Sequence, residues 1–93
     1  MADILVFNKY NTYAIELKRD FKINPIKQLQ VLEALKYKDD LIYLFLDNTN
    51  FNFITKHLIN NDKEILKHYG KVQINFWMEY YKRKKRKENE TTL

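Results

Sequence analysis

The chain contains no cysteine, which excludes a disulfide framework and any zinc site built on thiolates. It has no long hydrophobic run either. Leu41–Leu46 is the longest, far short of the roughly 20 apolar residues that cross a bilayer, so no membrane partner is expected. The opening MADILVF lacks a basic n-region and does not read as a secretory leader. Without thiols or such a leader, a cytoplasmic (intracellular) setting is the expectation. One glycine and one proline leave little room for flexible linkers. A length of 93 residues predicts one domain, whose small core is marginally stable unless it meets a partner.

Charge is present but unevenly placed. Of the net +5, residues 1–81 hold only +1, with eleven Lys and Arg against ten Asp and Glu. The rest lies in KRKKRK, namely Lys82, Arg83, Lys84, Lys85, Arg86 and Lys87, partly offset by Glu88 and Glu90. This divides the chain into a nearly neutral domain, 1–81, and a basic tail, 82–93. Such a run can bind nucleic-acid phosphates by counterion release. It can equally be a solvated, frayed terminus.

Ala2–Phe7 reads as a strand, Asn8–Asn11 as a turn and Thr12–Leu17 as the returning strand of a β-hairpin. Asn24 looks like an N-cap, with Pro25 at the first position of a helix to about Tyr37. Its apolar stripe comprises Ile26, Leu29, Val31, Leu32, Ala34 and Leu35. Leu41–Leu46 is apolar on both faces, as strands inside helix-covered parallel sheets are. Thr12–Leu17, the helix and Leu41–Leu46 therefore form a βαβ crossover, expected to be right-handed. Phe51–Ile54 reads as another short strand. Asp62–Tyr69 reads as a short helix capped by Gly70, with His68 in its last turn. Lys71–Tyr81 fits two patterns. Val72, Ile74, Phe76 and Met78 alternate like a strand; Ile74, Trp77, Met78 and Tyr81 form a helix face. A strand to about Trp77 followed by a basic helix is the expectation. The fold class is thus α/β, a small mixed sheet with a hairpin and a crossover, flanked by helices.

Asp3, Glu16 and Lys18 form the pattern D-x12-E-x-K across the hairpin. Alternation puts Glu16 and Lys18 on one strand face, and hairpin pairing can bring Asp3 beside it. Two carboxylates and the Leu17 main-chain carbonyl suit Mg²⁺, which takes oxygen ligands and keeps several waters. Mn²⁺ can substitute. Lys18 can then position or deprotonate a metal-bound water for phosphodiester hydrolysis. The plainer reading is a solvated strand end with a weak ion pair.

With a βαβ crossover following directly, and Gln28 and Gln30 on its helix, Ala2–Ile54 resembles the PD-(D/E)xK nuclease superfamily. The likeness is to its small members: VRR-NUC domains, RecB-like nucleases and archaeal Holliday-junction resolvases. The resemblance implies a restriction-endonuclease-like core and a Mg²⁺-dependent DNA endonuclease or nuclease subunit. It implies metal ligation by Asp3 and Glu16, with Lys18 acting on the water. It also implies support or DNA contact from a helix glutamine, Gln28 before Gln30. Ala2 stands where the family usually has proline, and the usual helix and strand ahead of the Asp-bearing strand are missing. A homo-oligomer or a partner chain completing the fold is therefore expected.

Two other functions fit the residues: a non-catalytic nucleic-acid-binding module, and a protein-interaction subunit using an exposed sheet edge. His57 and His68 read as surface or capping residues. Phe76, Trp77, Tyr80 and Tyr81 read first as core and second as base-stacking platforms.

Overall fold

A computed structural model describes residues 4–7 and 12–91. Strand β1 (Ile4–Phe7) pairs antiparallel with β2 (Thr12–Leu17), and β2 pairs parallel with β3 (Ile42–Leu46). Helix α1 (Gln28–Tyr37) joins β2 to β3. Helices α2 (Phe51–Ile59) and α3 (Lys63–Thr91) follow. The sheet order β1-β2-β3 is that of a hairpin extended by one crossover. Asn8–Asn11, expected to form the hairpin turn, and Asp3 lie outside the described residues.

Two apolar layers sandwich the sheet. Ala14, Tyr43 and Phe45 meet Val31 and Ala34 of α1 and Ile74 and Trp77 of α3. Tyr13, Ile15, Ile42 and Leu44 face the other way, onto Ile54 of α2 and Leu66 of α3. Both faces of β3 are covered, which is why its sequence is apolar throughout. Within α1 the buried residues are Val31 and Ala34, while Leu29 and Leu32 remain 80% and 47% exposed.

Four sequence expectations are corrected. Helix α1 starts at Gln28 with Lys27 as N-cap, so Asn24 does not cap it and Pro25 does not open it. Asn24 instead closes a turn, its N–H bonding to the Asp20 carbonyl at 2.7 Å. Phe51–Ile54 is the first turn of α2. Phe51 and Phe53 alternate like strand residues, but Ile54 and Leu58, four apart, supply the packing contact. Gly70 does not end a helix, and Val72–Trp77 is not a strand, because α3 runs unbroken through both. The alternative helix-face reading of Ile74, Trp77, Met78 and Tyr81 holds, all four packing in the first apolar layer.

Helix α3 serves both layers because it crosses the outer edge of β3. Leu66 packs on one side and Ile74 on the other, with Gly70 at the crossing. There the helix backbone lies so close to β3 that an added Cβ would sit 2.4 Å from the Tyr43 carbonyl oxygen. One turn on, buried Gln73 acts as a strand partner. Its Oε1 accepts from the Phe45 N–H at 2.9 Å, and its Nε2 donates to the Phe45 carbonyl at 2.6 Å. An edge strand inside a protein would otherwise hide unpaired amides. Gln73→Leu should therefore cost about 1–3 kcal/mol, the usual cost of an unsatisfied buried donor. Urea unfolding measures it, and an unchanged midpoint would show that these bonds add nothing.

Candidate functional site

The C-terminal end of β2 carries the charged residues. Alternation turns Glu16 to the same side as Ala14, beneath α1, and leaves Leu17 40% exposed on the other. Glu16 is only 2% exposed. The plainer reading, a solvated strand end, does not hold for Glu16: the acid is inside the domain. Lys18 continues the ladder, its N–H donating to the Leu46 carbonyl at 2.9 Å. Its Nζ lies 3.9 Å from Glu16 Oε1, and its side chain is 17% exposed. The pair thus sits at the rim of the sheet, acid buried and base nearer to solvent.

Gln30, on the first turn of α1, reaches this acid. Its Nε2 donates to Glu16 Oε1, and its Oε1 accepts from the Lys27 N–H at 3.2 Å. The second bond also closes the capping interaction at the helix start. Gln30 is therefore oriented at both ends of its amide. Gln28, the preferred glutamine of the sequence reading, is not brought to Glu16. It is exposed at the mouth of a groove of about 230 Å³ between α1 and α3, beside Tyr81 and Lys85.

Asp47, which the sequence reading passed over, is 1% exposed and holds the loops around this rim. It accepts from Phe21 N at 2.7 Å, Thr49 N at 2.9 Å and Thr49 Oγ1 at 2.5 Å. Its own N–H donates to Asn50 Oδ1, also at 2.9 Å. An acid directly after an all-apolar strand, followed by Asn-Thr-Asn, was the available cue for such a local bonding knot. Burial raises its pKa, but the Thr49 hydroxyl and the Phe21, Thr49 and Asn50 backbone groups outweigh that and hold the carboxyl below 3.8. A folded pKa below the unfolded one gives stability that is full above about pH 4 and lost as acid protonates the folded group. Asp47→Asn puts an amide donor at one of two oxygens that both already accept from donors. It should cost about 1–3 kcal/mol at pH 7. The gap between variant and parent should narrow in acid unfolding below about pH 3.8; a gap constant down to pH 2 would refute the linkage.

His57 bonds Asp62 at 2.6 Å, tying the end of α2 to the start of α3, and His68 is exposed within α3. Among the described residues no group of three His, Cys, Asp or Glu is placed to hold a metal ion. The basic run Lys82–Lys87 lies exposed on the C-terminal turns of α3. Trp77 is buried, and Tyr81 donates its hydroxyl to the Ile26 carbonyl, so the core reading holds for these two aromatics. Among the described residues no helix is long and apolar enough to cross a membrane. No protein-family model, curated protein or solved structure matches the chain.

Proposed function

We propose that the chain is a Mg²⁺-dependent nuclease of the PD-(D/E)xK type, or a subunit of one, hydrolysing phosphodiester bonds in DNA. The observation that carries the reading is Glu16: a buried carboxylate at a strand end, bonded by Gln30 of the crossover helix, with the Lys18 amine 3.9 Å away. The hairpin followed by a parallel crossover supports a restriction-endonuclease-like core around it. Burying a charge is costly, and a small domain has little stability to spare, so such a residue calls for a function.

The donor chemistry fits a hard cation. Glu16 offers a carboxylate and Leu17 a carbonyl, both oxygen ligands of the kind Mg²⁺ takes. The reading requires a second carboxylate from Asp3. Paired positions run from Ile4↔Ile15 to Phe7↔Thr12, and Asp3 lies outside the described residues. A bound Mg²⁺ supplies an activated water and neutralises charge on the scissile phosphate. In this scheme Gln30 is a positioning residue, holding Glu16 in one orientation. Lys18 orients the attacking water and offsets developing negative charge. The basic turns of α3 draw the phosphate backbone toward the domain. Pairing of a second chain along β1, an edge strand among the described residues, would extend the sheet and complete the fold.

The test is cleavage of single-stranded, duplex and branched DNA with Mg²⁺ or Mn²⁺. Lys18→Met and Glu16→Gln should abolish it. Activity surviving both substitutions, or none from the parent chain on any substrate, would sink the assignment. A second reading has its own observation, the six exposed cations on α3: a nucleic-acid-binding module without cleavage. It predicts salt-sensitive binding, weakened by neutralising Lys82–Lys87, with no metal-dependent product.

A further inference from the structure

Exposed Phe76, half-buried Tyr80 and the outer cations of α3 fall on one stripe. At about 100° per residue, Phe76, Tyr80, Arg83, Lys84 and Lys87 lie within an arc of about 100°. Phe76 is 55% exposed and Tyr80 half-buried, while the three cations are exposed. Buried Trp77 braces both rings. Its indole meets Phe76 edge-on at 5.3 Å and Tyr80 edge-on at 5.1 Å, so neither ring is a loose surface side chain. Tyr80 then opens a concavity of about 450 Å³ that Arg83, Lys84 and Lys87 complete.

We infer that this stripe is a track for single-stranded nucleic acid, Phe76 and Tyr80 stacking bases while Arg83, Lys84 and Lys87 take the phosphates. The inference rests on the nucleic-acid reading above and names the form of nucleic acid. A duplex keeps its bases stacked on one another and offers this face only phosphates. A single strand offers both phosphates and open base faces, which match the alternation of rings and charges. Successive rings are one helical turn apart, and the cations continue at the same spacing, so one strand can follow the helix axis. The track is built from α3 residues alone and needs neither Glu16 nor Lys18.

The experiment is fluorescence anisotropy on the full chain with labelled dT30 and with a 30-base-pair duplex, each at several salt concentrations. The parent should bind dT30 tighter than the duplex. Phe76→Leu and Tyr80→Leu should each weaken dT30 binding about tenfold, with little change for the duplex. Tyr80→Phe keeps the ring and should keep the affinity, which separates stacking from packing, and circular dichroism confirms that each variant is folded. Neutralising Arg83, Lys84 and Lys87 together should lower the salt slope for dT30 by about 2. Equal or tighter binding of duplex, or ring variants without effect, would overturn the track. So would binding to anionic phospholipid vesicles with none to dT30. Failure of the nuclease reading looks different: dT30 is bound as described, yet neither strand form is cut with Mg²⁺ or Mn²⁺. Failure of the track alone leaves metal-dependent cleavage intact in Phe76→Leu and Tyr80→Leu.

Discussion

Gly70→Ala should unfold at lower urea than the parent, by the equivalent of about 2 kcal/mol, although alanine is the better helix former. Two effects compete. Inside a helix, alanine for glycine gains about 1 kcal/mol through propensity and reduced freedom of the unfolded chain. Against it stands the crossing of α3 over β3. The new Cβ would lie 2.4 Å from the Tyr43 carbonyl oxygen and 3.4 Å from Leu44 Cδ2. The first contact is backbone, so no rotamer change relieves it. Overpacking costs about 1–3 kcal/mol where the surroundings can yield, and here two backbones must part. The helix can escape only by moving off the strand, which also stretches the two Gln73 bonds to Phe45. The clash therefore wins. Gly70→Leu should leave no cooperative unfolding transition. Lys71→Ala, one residue along on the exposed side, should be near neutral. If Gly70→Ala and Gln73→Leu act through the same displacement, the double variant loses less than the two single losses combined. A Gly70→Ala chain more stable than the parent would mean that propensity decides and the contact is slack.

That glycine also marks where local pattern ceases to determine structure. The hairpin, the crossover helix and β3 were legible because their apolar periods are strong and their partners lie nearby in sequence. Gly70 follows a short helical pattern and reads as a stop, whereas its role is set by a strand 27 positions earlier. Phe51 and Phe53 simulate strand alternation because both stay largely on the surface, 52% and 38% exposed, while Ile54 makes the buried contact. At the candidate site, Glu16 and Lys18 were legible from their spacing, but the depth of Glu16 was not. A single strand does not disclose how α1 lies over it. The same packing separates Gln28 from Gln30. Each is one turn from an apolar neighbour, Val31 or Ala34, and only the seating of α1 across β2 brings Gln30 to the acid. Asp47 was missed because its partners, Phe21 and Thr49, come from two loops.

Glu16→Gln should leave the fold at least as stable as the parent while removing metal-dependent cleavage. Glutamine keeps the volume and a carbonyl oxygen for the Gln30 amide, but it removes the buried charge. Removing one member of a buried ion pair is destabilising where the other stays buried and uncompensated, and close to neutral where the other can be hydrated, because desolvation opposes the pair. Lys18 loses a partner 3.9 Å away, yet its amine is near enough to the surface to be solvated instead. A purely structural carboxylate would behave otherwise. Its replacement would lower stability by about 2 kcal/mol or more, with any nucleic-acid activity untouched. Glu16→Ala is the complementary variant: it removes the charge and also leaves a cavity beneath α1, so it should lose both activity and stability. Gln30→Leu tests the positioning role. It keeps Glu16 but removes the amide that orients it, so cleavage should fall about tenfold to a hundredfold without vanishing. The pattern to measure is Tm by calorimetry beside initial cleavage rates with Mg²⁺. Glu16→Gln that is less stable and still active would assign this carboxylate to the architecture and end the nuclease reading.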